Sequence, residues 1–206
     1  MKVPLLDLKL QYEGLRDEVE PALREVLESQ AYCNGPAVRQ FESAIADYCG
    51  SGHAIGLTSG TDALLIALMA IGVGPGDEVI VPTFTFFATA GVVSRLRATP
   101  VFVDIEPQTY NLDPDDLARK VTPRTKAIMA VDVFGHPADW DGITAVAEAH
   151  NLRIIDDSCE ALGAEYKGRK LGTFGDAATF AFYPNKQMTT GEGGMIVTDD
   201  DEIAML

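Results

Sequence analysis

The chain has 206 residues, enough for one substantial α/β core, and 31 acidic against 16 basic residues give it a formal net charge of −15. That balance argues against nucleic acid or an anionic membrane as a partner, because phosphate surfaces are bound by an excess of lysine and arginine. Cys33, Cys49 and Cys159 show neither paired nor metal spacing, and His53, His136 and His150 are scattered, so reduced thiols, no metal, no signal peptide, no membrane span and a cytoplasmic setting are expected.

Apolar periodicity predicts an amphipathic helix over about Tyr12–Ser29, with Leu15, Val19, Leu23 and Val26 on one stripe, and a second helix over Pro36–Tyr48. Strands and helices then alternate. A strand at Ala54–Thr58 leads to a helix at Thr61–Ile71, a strand at Glu78–Val81 to a helix at Phe84–Leu96, and a strand at Pro100–Val103 to a helix at Pro114–Lys120. Asn111-Leu112-Asp113-Pro114 supplies that last helix with a cap and a first-turn proline. A strand at Lys126–Phe134, a helix at Ala138–His150 and strands at Arg153–Asp157, Ala177–Phe182 and Met195–Thr198 follow, and Asp199 to Leu206 begins one more helix behind acidic residues. Repeated strand-then-helix spacing implies a mostly parallel sheet of seven strands with helices on both faces.

Four segments carry chemistry. In Phe182-Tyr183-Pro184-Asn185-Lys186-Gln187-Met188-Thr189-Thr190-Gly191-Glu192-Gly193-Gly194, one lysine stands between an apolar strand and a loop with three glycines in four positions. The strand fixes the backbone, and the glycines let the chain pass close to a ligand. A lysine in a partly dry cleft can lose its proton and form a Schiff base with a carbonyl compound. An isolated loop lysine is ordinarily solvated, and three further segments shift the balance.

Leu152 to Cys159 reads as a buried parallel strand ending in Asp156 and Asp157, and ligands of open α/β sheets bind outside the carboxyl ends of strands. Pyridoxal phosphate needs such a pair, a lysine for its aldehyde and a carboxylate that keeps its pyridine nitrogen protonated. The two aspartates also suit an ordinary strand-end turn. Ala54 to Leu68 runs from a strand through Ser59-Gly60-Thr61-Asp62 into an alanine-rich helix, whose free N–H groups and dipole suit a phosphate. Plain N-capping by Ser59 or Thr61 reads equally well. Pro82-Thr83-Phe84-Thr85-Phe86-Phe87-Ala88 places aromatic rings at another strand end, either to stack on a flat cofactor or to pack in the core.

In this order, the four segments resemble the DegT/DnrJ/EryC1/StrS family of pyridoxal-phosphate sugar aminotransferases. The resemblance runs from Val3-Pro4-Leu5-Leu6-Asp7-Leu8 through Asn34-Gly35-Pro36, Gly76 to Pro82, Gly135-His136-Pro137-Ala138-Asp139 and Asp157-Ser158-Cys159-Glu160-Ala161-Leu162-Gly163 to the lysine segment. It implies the large domain of the aspartate-aminotransferase fold, a three-layer α/β/α arrangement of fold type I. Residues 1–206 would form that domain, with a helical segment at 1–50, and a small C-terminal domain would be missing. Lys186 would form the Schiff base and shuttle the proton, with Asp157 at the pyridine nitrogen. Side chains alternate along a strand, so only one of Asp156 and Asp157 can face the cofactor. Gly60, Thr61 and Asp62 would hold the phosphate, and Phe86 would cover the ring.

Two positions depart from the family pattern. Glu160 stands near the cofactor's phenolic oxygen, where many relatives carry glutamine or histidine. Ala181 stands where relatives often have a phosphate-binding serine, a loss of one hydrogen bond worth ~1 kcal/mol. The implied reaction moves an amino group from glutamate to a nucleotide-linked keto-deoxysugar, in polysaccharide or antibiotic sugar biosynthesis, on a homodimer with a shared active site. The alternatives are a 3-dehydratase of the same family, whose members carry histidine at the lysine position, and a noncatalytic regulatory or binding protein on the same fold.

Overall fold

The computed structural model describes residues 3–4 and 7–205, so Leu5 and Leu6 of the opening motif, with Leu206, lie outside the described residues. The chain divides into two compact units, Met1–Phe41 and Glu42–Leu206. The first is dominated by α1 (Leu8–Ser29), which starts earlier than its apolar stripe because the Asp7 carboxylate caps it, accepting from the Leu10 N–H at 3.1 Å. Leu15, Val19 and Leu23 are exposed and Val26 is partly covered. Helix α2 (Pro36–Cys49) follows, with Ile45 and Cys49 buried.

The second unit is built on a seven-stranded sheet. Its strands are β1 (His53–Leu57), β2 (Glu78–Pro82), β3 (Thr99–Val103), β4 (Thr125–Val131), β5 (Arg153–Asp157), β8 (Ala177–Ala181) and β9 (Gly194–Thr198), in the spatial order β1-β9-β8-β5-β4-β2-β3. All run parallel except β9, which is antiparallel to both β1 and β8. Strands β2 and β9 are buried along their whole length, and β4 and β5 nearly so. They therefore read as continuous apolar runs rather than alternating ones. Strands β6 (Glu165–Tyr166) and β7 (Arg169–Lys170) form a separate short hairpin, turning through Lys167 and Gly168 at positive φ, which the apolar pattern did not foretell.

Helices cover both faces. On one, α3 (Gly60–Ala70), α4 (Phe87–Arg95) and α7 (Asp201–Met205) bury Leu64, Leu68, Val92, Val93 and Ile203 against the sheet; on the other, α5 (Pro114–Lys120) and α6 (Trp140–His150) bury Leu117, Trp140, Ile143 and Ala147. The expected three-layer α/β/α architecture with a mostly parallel sheet is thus present. Burying one leucine or isoleucine of these faces is worth about 1.5–3 kcal/mol, so the two cores together fix the sheet as a rigid platform.

Two expected elements fall short of their predicted bounds by three residues at one end. Strand β4 stops at Val131, not Phe134, because Asp132 begins a 3₁₀ turn (Val133–Gly135) in which Phe134 adopts φ 56°. Helix α4 starts at Phe87, not Phe84, since Phe86 remains extended at ψ 144°. Both departures fall at carboxyl ends of parallel strands and open the same crevice. Among the described residues no helix is long and apolar enough to cross a membrane, and no group of His, Cys, Asp and Glu is placed to hold a metal.

Candidate active site

A cavity of about 660 Å³ lies at the carboxyl ends of β2, β4, β5 and β8 and at the amino end of α3, lined by Gly60, Thr61, Phe86, Asp157, Glu160 and Lys186 among others. This is the crevice that the doubly wound topology makes available.

Lys186 reaches it from the loop between β8 and β9. That loop is tied down: the Phe182 N–H donates to the Gly193 carbonyl at 2.9 Å, the Thr190 N–H to the Phe182 carbonyl at 3.1 Å, and the Lys186 N–H to the Tyr183 carbonyl at 2.9 Å. The Lys186 side chain is only 14% exposed, and its Nζ donates to Glu160 Oε1 at 3.0 Å. Glu160 is held in turn by the Phe134 N–H, which donates to Oε2 at 3.3 Å, while the Gln187 amide donates to the Glu160 carbonyl. The departure at Glu160 thus gives the lysine a carboxylate partner.

Asp157 forms the floor. It is nearly buried at the end of β5, and its Oδ2 accepts from Thr89 Oγ1 of α4 at 2.9 Å while Oδ1 accepts from the Cys159 N–H at 3.4 Å. Thr85 Oγ1 lies 2.8 Å from Thr89 Oγ1, and since the Thr89 proton goes to Asp157, Thr85 donates to Thr89. Burial pushes the Asp157 carboxyl up, and the hydrogen bonds from Cys159 and Thr89 and the nearby Lys186 charge oppose that rise. A bound cation at the floor would favour its ionised form. Asp156 turns away, toward the Gly172 N–H.

The third wall is the start of α3. Ser59 is extended at φ −161° and caps the helix, its Oγ accepting from the Asp62 N–H at 3.1 Å. A Cβ on Gly60 would lie 2.6 Å from the Ala181 Cβ and 3.0 Å from Cys159 Sγ, so only glycine fits there. Residue 181 therefore packs on the turn through a methyl group. Asp62 behaves differently from its neighbours. Its carboxylate faces Thr58 Oγ1 and lies 3.9 Å from Arg95, and its side chain does not line the cavity. Phe86 does line it and is 73% exposed.

These groups fit pyridoxal phosphate on structural grounds. They comprise a shielded lysine amine, a buried carboxylate without a basic partner of its own, a glycine-only turn at a helix start and an exposed aromatic ring, all on one cavity. Thr89, which holds Asp157, escaped the sequence reading because it lies inside an apolar helix; its only signal is a hydroxyl in a run that otherwise packs the core. Phe134 escaped because its run reads as strand.

The DegT/DnrJ/EryC1/StrS aminotransferase family model matches residues 14–206. The chain belongs to this family. It is 49% identical over 205 residues to a pleiotropic regulatory protein of Geobacillus stearothermophilus, covering 99% of this chain and 55% of that one. It is 55% identical over 170 residues to a GDP-perosamine synthase of Caulobacter vibrioides, covering 82% of this chain and 46% of that one. The solved structure of S. venezuelae DesV in complex with a ketimine intermediate superposes with a TM-score of 0.96 at 45% identity, covering 99% of this chain and 55% of the other. The chain spans about half the length of the curated relatives it matches. The matched residues include Lys186, Asp157 and the Ser59-Gly60-Thr61 turn.

Proposed function

We propose that the protein is a pyridoxal-phosphate-dependent aminotransferase that moves an amino group from glutamate to a nucleotide-linked keto-deoxysugar. The observation that carries this reading is the convergence of Lys186, Asp157 and the Ser59-Gly60-Thr61 turn on one cavity. The names of relatives such as the GDP-perosamine synthase support the substrate class.

In this reading Gly60, Thr61 and the amides that open α3 receive the phosphate, with the helix dipole supplying the favourable field. Phe86 covers the ring face, and Lys186 holds the aldehyde. Pyridoxal phosphate, when bound, supplies an electron sink for the pair left behind when a proton leaves the substrate carbon. Asp157 holds the counter-charge that keeps that sink effective. After release to the amino donor, Lys186 moves the proton between the two carbons, and Glu160, 3.0 Å from Nζ, steadies the protonated amine between transfers. Thr89 keeps Asp157 aimed at the floor.

The dehydratase alternative is disfavoured by Lys186 itself, since those relatives carry histidine at this position. The direct test is a panel of nucleotide-linked keto-sugars offered with glutamate to the full-length protein. An amino-deoxysugar with matching 2-oxoglutarate is expected; loss of a sugar hydroxyl without nitrogen transfer would favour the dehydratase, and no turnover with any sugar would favour a binding protein. A homodimer with a shared site is part of the same reading, and the exposed stripe of Leu15, Val19 and Leu23 supplies a surface for a partner. Light scattering that finds an active single chain would count against it.

A further inference from the structure

Behind the floor of the cavity lies a buried cluster that the proposed reaction does not use. Asp132, Asp156 and Ser158 are each fully buried. Ser158 Oγ lies 2.8 Å from Asp132 Oδ2 and 2.7 Å from Asp156 Oδ1. A hydroxyl carries one hydrogen, and an ionised carboxylate carries none. Two short contacts from one hydroxyl to two carboxyl groups therefore require a second hydrogen, and it must sit on one of the carboxyls.

We propose that Asp156 is held as a carboxylic acid that donates to Ser158 while Ser158 donates to an ionised Asp132, and that this shared-proton relay positions the walls of the cavity. The neighbours decide which group keeps the proton. Asp132 Oδ1 accepts from the Ala138 N–H at 2.7 Å, a strong bond to a charged acceptor, and the otherwise unpaired indole N–H of Trp140 favours its charge. Asp156 has only a long bond from the Gly172 N–H at 3.3 Å. Burial pushes the Asp156 carboxyl well up, and the Asp132 charge pushes it further. Asp157, its neighbour on β5, points to the opposite side of the strand, while the Cys49 thiol, which burial raises to about 11, lies within electrostatic reach of Asp156, with Lys170 opposing that rise.

The relay joins four segments. Asp132 follows β4 and begins the turn that carries Phe134; Ser158 begins the segment that carries Glu160; Ala138 precedes α6; Gly172 follows the β6–β7 hairpin. The Asp132 N–H also donates to the Asp157 carbonyl at 3.2 Å, tying the strand that bears the floor carboxylate. With Asp156 neutral, Asp157 is the only charge on the last two residues of β5. Were Asp132 and Asp156 both ionised, two like charges on either side of one hydroxyl would repel in a site with little water. The positioning role rests on the reading of the cavity as the cofactor site; the shared proton does not.

The test is infrared spectroscopy of the full-length protein across pH, reading the carbonyl stretch of a protonated carboxylic acid. A band is expected that persists above neutral pH in the unmodified protein and in Asp157→Asn, and is lost in Asp156→Asn, whose amide can donate to Ser158 in place of the acid. In Asp132→Asn the band should titrate away at lower pH, because the charge that raises Asp156 is gone. Stability gives the second readout. A proton bound more tightly in the folded state contributes stability that is complete below the unfolded pKa and falls as pH rises from there to the folded pKa, above which nothing more is lost. Unfolding midpoints of the unmodified protein should therefore decline from the ordinary carboxylate range up to the raised folded pKa of Asp156, and those of Asp156→Asn should decline less over the same range, the remaining slope coming from the raised carboxyls of Asp132 and Asp157. Absence of the band, its survival in Asp156→Asn, or an unmoved titration in Asp132→Asn would each overturn the proposal. None of these readings depends on catalysis, so a failure of the aminotransferase assignment would leave them intact.

Discussion

Replacing Lys186 by alanine is expected to abolish the cofactor adduct that borohydride fixes on the full-length protein and to lower turnover by at least ~10⁴-fold. The size follows from the two tasks assigned to one amine, holding the aldehyde and transferring the proton; proton transfer by a positioned group is by itself worth ~10²–10⁴-fold. The loss would be chemical rather than structural. Among the described residues Nζ pairs with Glu160, whose side chain is 39% exposed and remains solvated without it, so the broken ion pair costs no more than about 1 kcal/mol. The loop is held by its backbone bonds and keeps its course. Peptide mapping of the reduced protein locates the adduct. An adduct on any lysine other than Lys186 would contradict the assignment.

Asp157→Asn should retain the fold and bind cofactor, yet turn over ~10²–10³-fold more slowly, a loss of the size seen when one pre-aimed electrostatic partner is removed from a site. Asparagine matches aspartate in shape, and its amide oxygen can still accept from Thr89 Oγ1. What disappears is the negative charge proposed to keep the cofactor nitrogen protonated. Asp156→Asn should cost less than about tenfold, because an amide there replaces a group that already carries a proton and faces away from the cavity. Turnover per bound cofactor in the two variants provides the comparison. The reverse ranking would mean that the two carboxylates have been assigned to the wrong sides of β5.

Much of this arrangement can be read from the residues, and the exceptions have physical causes. Helix α5 runs over the predicted Pro114–Lys120 because Asp113 caps it, accepting from the Asp115 N–H at 2.8 Å, and Pro114 starts it. Strand β5 runs over Arg153–Asp157 because its apolar run is short and ends in two carboxylates. Strand β4 was read three residues too long because Val133 is buried like a strand residue, while the chain has already turned at Asp132. The site residues with chemical character, Lys186, Asp157 and Gly60, stand out in the sequence. Those that hold them do not: Thr89 and Asp132 come from other segments, and only the hydrogen bonds from α4 and from the end of β4 to Asp157 show what they serve. Asp62 illustrates the opposite case, a residue inside the phosphate-turn motif whose side chain serves the local helix start and not the cavity.

The transamination proposed at Lys186 proceeds in two halves, which a single-turnover experiment on the full-length, cofactor-loaded protein separates. Glutamate added without sugar should bleach the visible cofactor band and release one 2-oxoglutarate for each Lys186 site, and a nucleotide-linked keto-sugar added next should restore the band with one amino-deoxysugar formed. A band that no amino donor moves, or one that bleaches and returns with no nitrogen on any sugar, would contradict the account.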